Sequence, residues 1–418
     1  MYTVYCVQHE TDEKRYLLHD PRSQKHHILS PKLTMKLSES GTFTFTVPAA
    51  NDNADKITEE HCTIVVYQDG QFLWAGKPLL LDTDFYNNKT YTCEGVLGLL
   101  LDILIPPFSS SAQTPSSFMG EILGQYNSVV NSIVLPVLED ETASRPVYDT
   151  YAKHYWRNFA APDSSDYDTI TSYDADGYIT GTAENKIVRR SEKPLSAFEV
   201  LQTRLIDSFG GHIAVTESES TTARWQLSYL DPAKNIAAQK IRFGENLTEL
   251  TRSLDMTDFY TALMPVDLDG NALLNVSGEQ KLIRRGAGGA ISKMAIKPNG
   301  YQFICNVDLV RKYGLIVKTY EPDNESGTAE EAFARTAPIA IDLQPPAETI
   351  TVNAVDLHLS NREVEAFRVG QSIQVESAPH GMDAVMVLSE LIIPLDDPTG
   401  CKIILNGTLK TLTGMNVR

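Results

Sequence analysis

Ile241-Arg-Phe-Gly-Glu-Asn-Leu247, followed by Thr261-Ala-Leu-Met-Pro265, is the stretch whose reading decides the fold. Its wording is specific, unlike the generic alternations around it. Upstream, Ser191-Glu-Lys-Pro-Leu-Ser-Ala-Phe-Glu-Val-Leu-Gln-Thr-Arg-Leu-Ile-Asp-Ser-Phe209 reads as an amphipathic helix. Leu195, Phe198, Leu201, Leu205 and Phe209 recur at three- and four-residue spacing, Ser191 offers a cap, and Gly210-Gly211 ends it. That stripe is core, and strands at 212–216 and 224–229 follow. Downstream, Gly270 to Lys297 holds the cluster Gly286-Ala-Gly-Gly289. A phosphate-cradling loop needs G-x-x-x-x-G-K-[S/T] or G-x-G-x-x-G, and neither spacing is present, so a flexible loop is expected. A run from Asp308 to Ile316 then leads to Glu321 and a helix over 328–336 that Pro338 should stop.

The C-terminal block alternates as strands joined by tight turns: Ile350 to Leu357, Val369 to Val375 with Ile373 and Val375 facing one way, Pro379-His-Gly381, and Ile404-Leu-Asn-Gly407. Asp396-Asp-Pro-Thr-Gly400 closes a final hairpin, and a small barrel is the expected product. Near the other end, Gly41-Thr-Phe-Thr-Phe-Thr-Val-Pro48 puts Phe43, Phe45 and Val47 on one face of a half-buried strand. Cys62 to Gln68 and Gln71 to Ala75 flank Asp69-Gly70, whose chemistry suits a type I′ hairpin turn. Lys89 to Glu94 forms a third strand after the Asn87-Asn88 turn, and Gly95 to Leu104 suits a short packed helix. Residues 1 to about 105 thus read as a compact β domain. A Ser/Thr/Pro/Gln stretch from Ser109 to Ser117 marks a linker, and a helix over 118–127 follows it.

At 418 residues the chain exceeds the ~100–200 residue norm for one domain, so about two to four domains are expected. With 42% hydrophobic and 22% charged residues and a mean hydropathy of −0.20, it is globular. Its 54 Asp+Glu against 36 Lys+Arg leave a formal charge of −18, which opposes the counterion release that drives phosphate-backbone binding. An acidic surface also suits a channel through which DNA slides without sticking. Cys6, Cys62, Cys93, Cys305 and Cys401 are scattered, odd in number and without a C-x-x-C pair, which is neither a disulfide framework nor a zinc site. The start from Met1 to Glu10 lacks a basic n-region and a long apolar run, so no secretion signal is read there, and folding in a reducing cytoplasm is expected. The longest apolar run, Val96 to Phe108, is broken by Asp102 and Pro106-Pro107 and falls short of the ~20 residues a membrane helix needs.

These pieces, taken in order, resemble the hub proteins at the tail tip of bacteriophages, the tail-associated lysin or prophage endopeptidase tail group. The family wording "I-x-F-G-x-N-L … T-x-L-x-P" is met at 241–247 and 261–265. "P-K-L … G-x-F-x-F-x-V-P" is met by Pro31-Lys-Leu33 and 41–48, the "V-x-x-D-G-x-x-x-x-G" hairpin by Val66 through Gly76, and "C-E-G-x-L-x-L-L-x-D" by Cys93 to Asp102. Phe118 to Asn127 is similar to the family's "L-L-x-x-H-N" helix, with Tyr126 where His is common. The resemblance runs from about Pro31 to Gly407. It implies a β-rich α+β multidomain fold: two tail-tube-like β-barrel domains with inserted mixed α/β domains. The expected partition is a first barrel at 1–105, a mixed middle domain at 106–240, and a second barrel at 241–418 with an inserted helical segment around 280–345.

The resemblance further implies a homotrimer whose paired barrels make a sixfold ring. That ring would dock on the hexameric distal tail protein, contact the tape-measure protein, offer a seat for receptor-binding or tail-fibre proteins, and open to pass DNA. The setting would be the virion tail tip, assembled in the bacterial host cytoplasm. Many relatives add a peptidase or muramidase after the hub module; this chain stops at Arg418, and the hub alone is expected.

No catalytic, cofactor-binding or metal-binding residue is assigned. His26-His27 is adjacent, unlike H-E-x-x-H, and neighbouring strand side chains face apart, so the pair reads as surface polar residues. No G-x-S-x-G or local Cys motif raises a nucleophile above chance. Asp174-Ala-Asp-Gly177 resembles part of a calcium loop, but Ser172 and Ala183 occupy its first and twelfth positions, and a hairpin turn explains it better. Tyr148, Tyr151, His154, Tyr155, Trp156, Phe159, Tyr167, Tyr173 and Tyr178 interleave with six Asp. That cluster reads either as a saccharide platform or as core and loop residues of a β-rich insertion. A cell-wall lysin and a saccharide-binding module therefore stand as alternatives to the hub.

Overall fold

The structure, a computed structural model, describes residues 1–9, 14–58, 62–132, 134–137, 147–150, 154–173, 178–186, 188–267, 269–275, 277–286, 289–321 and 328–409. Strands outweigh helices, 43% to 20%, and the largest sheet curls into a half-barrel, so the chain is a β-rich α+β protein. It divides into two compact units. The first comprises 1–168, 185–251 and 350–418; the second comprises 169–184 and 252–349.

The first unit is built on a 13-stranded sheet. Its strands are β1 (Tyr2–Gln8), β2 (Lys14–His19), β3 (Leu29–Lys36), β4 (Thr42–Val47), β5 (Cys62–Gln68), β6 (Gln71–Thr83) and β7 (Lys89–Gly95). The later strands are β8 (Ile241–Arg242), β9 (Leu247–Asp255), β10 (Ala347–Ala354), β11 (Ser372–Ser377), β12 (Met382–Pro394) and β13 (Lys402–Leu409). The order is β2-β1-β5-β6-β7-β4-β3-β12-β13-β10-β9, with β11 on β12 and β8 on β11. The alternation read at 42–47 holds: Phe43, Phe45 and Val47 are buried. Asp69 and Gly70 both take positive φ, 50° and 81°, as a type I′ turn requires.

One strand joins the early and late strands. Residues 382–387 of β12 pair with β11, and residues 390–394 of the same strand pair with β3, setting Leu391 against Met35 and Ile393 against Leu33. The opposite edge of β12 pairs with β13 through register shifts at Met386/Val387 and Leu388/Glu390. Such bulges bend and twist a strand, which lets β12 serve two curled stretches of sheet. Leu33, Leu391 and Ile393 are buried in one apolar core with Phe43, Tyr91, Val352 and Leu405, so strands from both ends of the chain share an interior.

A second core in this unit gathers Phe118, Ile122 and Tyr126 of the helix Pro115–Ser132, the short helix Val96–Leu101, and Trp225 and Leu227 of the strand Trp225–Leu230. The expected helix over 191–209 begins later. Its cap is Ser196, not Ser191: Ser196 and Glu199 form a capping box, and Arg190–Ser191 is a short strand. Pro194 and the reciprocal Ser196/Glu199 bonds outcompete an earlier start. The helix runs Ala197–Leu201, through a π-turn at Gln202–Ile206, to Asp207–Phe209, and Gly210 ends it at φ 78°.

The second unit holds a five-stranded sheet in the order Gln280–Arg285, Ile291–Lys297, Ile304–Asn306, Ala262–Pro265, Val317–Tyr320, with helices Val307–Tyr313 and Ala329–Ile341. Gly286 and Gly289 fall between two paired strands, Gln280–Arg285 and Ile291–Lys297. One expectation fails here. Pro338 does not stop its helix, which continues to Ile341. Ala337, Ala340 and Ile341 are buried in this unit's core, and that burial outweighs one missing backbone bond.

Candidate interaction surfaces

The signature at residues 241–265 acts as a structural clasp. Ile241 is buried and pairs in parallel with Val375. Gly244 takes φ 82°, a conformation that favours glycine, so that Asn246 can fold back. The Asn246 carboxamide accepts from the Arg242 amide at 2.8 Å and donates to the Lys240 carbonyl at 3.0 Å. In the second half, the fully buried Thr261 hydroxyl donates to the Gly314 carbonyl at 2.9 Å and accepts from the Ile316 amide at 2.8 Å. Leu263 enters the core of the second unit. Both motifs serve folding.

A second tie within the first unit lies at the β5–β6 turn. Asp69 meets His358 at 3.2 Å and Arg362 at 3.1 Å, and the next residue back, Gln68, accepts from Arg368 at 2.6 Å. Burial works against the Asp69 carboxylate, yet its cationic and hydrogen-bonding neighbours hold its pKa below the usual value.

Residues weighed for chemistry are dispersed. All five cysteines are free and buried. Hydrogen bonding to Cys62 together with burial holds the Cys6 thiol above its ordinary range, and burial, helped by the Asp356 carboxylate, pushes Cys401 up to about 12. Cys62 donates to the Thr58 carbonyl at 2.9 Å. Thiols in such surroundings are core residues. His26 and His27 are half-buried in the loop before β3, not on a strand; His26 Nδ1 lies 2.9 Å from Ser23 Oγ and His27 sits edge-on to His19. Among the described residues no three His, Cys, Asp or Glu side chains gather as a metal site. Residues 174–177, the calcium-loop resemblance, lie outside the described residues, as does Tyr151.

Of the aromatic cluster, Phe159 is buried, Trp156 stacks on His9 at 4.3 Å, and Tyr167 stacks on Tyr229 at 4.6 Å. Tyr178, in the second unit, is 47% exposed under the Arg285 guanidinium. The three rings described in the first unit are therefore engaged in packing, and they form no open row of faces.

Two features of the first unit have no counterpart in the sequence reading. β6 and β7 run on beyond the expected hairpin, pairing as far as Thr83 with Lys89. At their tip Phe85 is 94% and Tyr86 75% exposed, and Leu79 and Leu80 are exposed behind them. The turn is tied by its own hydrogen bonds: the Asp84 carboxylate accepts from the amides of Tyr86 and Asn88, each at 2.8 Å, and the Asn88 side chain holds its pKa below the usual value. The other feature is a cavity of about 300 Å³ beside β6. Phe72, Trp74, Val96, Leu97 and Ile213 give it an apolar lining, to which His212, Lys36, Glu39 and Arg368 add polar groups. His212 is buried, and its Nδ1 has no hydrogen-bond partner. Gly370, at φ 89°, packs so closely on the ring that a Cβ there would lie 2.1 Å from Nε2. Burial holds this imidazole below its ordinary pKa, hence neutral.

No family model matches the sequence, and no curated protein sequence does. Solved structures do match. The chain is similar over 98% of its length, and 97% of the other's, to the tail protein from Neisseria meningitidis MC58, with a TM-score of 0.51 and 13% identity. It is similar over 99% of its length, and 100% of the other's, to the 43 kDa tail protein of prophage MuSo2 from Shewanella oneidensis, again with a TM-score of 0.51 and 13% identity. At that identity the likeness is one of fold: this chain has the fold of phage tail proteins.

Proposed function

We propose that this phage tail-type fold is the structural hub of a tail tip, in a phage or a phage-derived device, and that it works without catalysis. Three copies would close the tail tube, dock on the hexameric distal tail protein, contact the tape-measure protein, and open to pass DNA. The observation that carries this reading is the sharing of β12 between β11 and β3. A curled sheet whose early strands (β1–β7) and late strands (β8–β13) are fused through one strand supplies two tube-like segments per chain. Three such chains would then present six segments to a sixfold partner. In this reading residues 1–105 and 241–418 supply the two segments, 106–240 the domain between them, and the stretch around 280–345 an insertion.

The charge supports the same role. Three copies would carry three times −18, or −54, and acidic residues turned to the bore would repel a polyanion in transit. The location would be the virion tail tip, reached after assembly in the host cytoplasm.

Imaging tests the proposal. The chain, co-expressed with a hexameric distal tail protein, should give threefold particles with six barrel densities seated on a sixfold ring. Particles lacking that pairing, or a ring with a basic bore, would sink it. Muralytic activity on purified peptidoglycan, lost on mutating a specific nucleophile or carboxylate pair, would instead favour a lysin. Saturable glycan binding lost on replacing Tyr178 would favour a saccharide-binding module.

A further inference from the structure

The five-stranded sheet of the second unit has two edges of opposite character. One edge, Gln280–Arg285, carries Lys281, Arg284 and Arg285 and is bent by a register shift at Arg284/Arg285. Cations and bulges of this kind keep an edge from pairing with another chain. The other edge, Val317–Tyr320, has no register shift and no proline, and Lys318 is its one cation. Its backbone groups are half used. In the parallel pair with Ala262–Pro265, the Ile316 and Tyr320 carbonyls accept from the Ala262 and Val266 amides at 3.0 and 2.9 Å. Backbone groups alternate sides along a strand, so Val317 and Thr319 turn their N–H and C=O groups away from the sheet, where they meet no partner among the described residues. Leu315, Ile316 and Val317 are 51%, 36% and 42% exposed, and Lys318 and Thr319 are exposed beside them. Such a row of donors and acceptors is completed by another extended backbone.

Charge narrows the occupant. From Arg311 to Tyr320 the chain holds Arg311, Lys312 and Lys318 and no acid, against −18 for the whole. Lys312 and Lys318 rest over the rings of Tyr313 and Tyr260, each at 5.0 Å, and not on carboxylates among the described residues. A second copy would bring either these same cations or those of Gln280–Arg285 if it approached through an edge of this sheet, and both repel. We propose that Val317–Tyr320 receives, as a sixth strand, an extended segment of a partner protein in which carboxylates alternate with apolar residues. Side chains alternate across a strand, so the carboxylates lie on the face of Lys318 and the apolar groups on the face of Val317. The edge belongs to the stretch around 280–345 read as an insertion, and its occupancy goes beyond the hub reading.

A capped, fluorescein-labelled eight-residue peptide alternating valine and glutamate is the probe. In fluorescence anisotropy it should bind the full chain with a Kd below ~1 mM, and a valine–lysine peptide of the same length should bind at least about tenfold more weakly. Hydrogen exchange read by mass spectrometry should slow in residues 314–320 when the first peptide is present. Thr319→Pro removes one outward N–H and no bond within the sheet, so binding should drop about tenfold while the melting curve stays that of the parent. Where Thr319→Pro does not fold, N-methylation of the peptide takes its place. Methyl groups on one alternate set of amides should abolish binding and those on the other set should spare it, because an added strand bonds to the edge through one set only.

No binding at ~1 mM, equal binding of the two peptides, or protection confined to residues outside 314–320 overturns the proposal. A dimer of the unaltered chain that Thr319→Pro abolishes also overturns it, by giving the edge to a second copy. Threefold particles with six barrel densities form or fail to form whatever stands at position 319, so failure of the edge and failure of the hub reading are told apart.

Discussion

Arg368 donates from Nη1 to the Gln68 side-chain oxygen across 2.6 Å, joining residues 300 apart in sequence. The bond ties the β5–β6 turn to the loop before β11, at a distance from the β3–β12 seam along the chain. Burial disfavours the Arg368 charge and holds its pKa below the ordinary value, a cost that the Asp356 and Glu365 carboxylates offset only in part. Gln68 is itself 1% exposed, so its oxygen has no recourse to water. Arg368→Met should destabilise the first unit by about 1.5–3 kcal/mol, the range for a hydrogen bond to a charged group. A urea midpoint unchanged from the parent chain would show that the tie carries nothing.

The seam predicts coupled opening. Leu391 and Ile393 belong to the core shared by early and late strands. Leu391→Ala should cost about 2–5 kcal/mol. Hydrogen exchange should then quicken in β4 and β7 as well as in β12 and β13, since one core holds all four. Acceleration confined to β12 and β13 would mean two independent halves.

Acid should release one local clamp. The Asp20 carboxyl is pulled down to about 2, first by the Arg22 side-chain bond, with Arg22 Nη2 at 2.7 Å. A carboxylate with a depressed folded pKa stabilises above its unfolded value of ~3.9 and loses that contribution as pH falls through the folded one. The melting temperature of Asp20→Asn should therefore lie below the parent's at pH 6, and the gap should close between about pH 4 and pH 2. A gap independent of pH would assign the effect to packing.

Pro338 leaves the Ala334 carbonyl without its helical donor. Pro338→Ala restores that donor and removes the ring clash, and should stabilise the second unit by about 1–3 kcal/mol. Calorimetry resolving a transition of the second unit would check it. A lowered transition would show that the proline is fixed by packing.

The asparagine of the signature makes a sharper case. Asn246 is 2% exposed and closes its turn through both ends of its carboxamide. Asn246→Asp keeps the acceptor and loses the donor to Lys240, so it should destabilise the first unit by about 1–3 kcal/mol. Asn246→Leu should cost at least as much despite adding apolar surface. A neutral Leu variant would contradict the clasp.

What the sequence determined is local, and periodicity or turn chemistry carries it. Phe43, Phe45 and Val47 announce a buried strand face, Asp69-Gly70 a hairpin, and Gly210-Gly211 a helix end, because each depends on neighbours within a few residues. The resemblance at 241–247 and 261–265 points to the phage tail fold, although the work those residues do, Asn246 closing a turn and Thr261 bridging Gly314 and Ile316, is visible only with the backbone in place. Pro338 misleads because the burial that overrides its propensity comes from the sheet of the second unit.

The sharing of β12, the Arg368–Gln68 tie and the cavity around His212 were decided by tertiary structure alone. Each is made by residues far apart in the chain, and side chains with no sequence periodicity between them meet only when burial of a common core brings their strands into register.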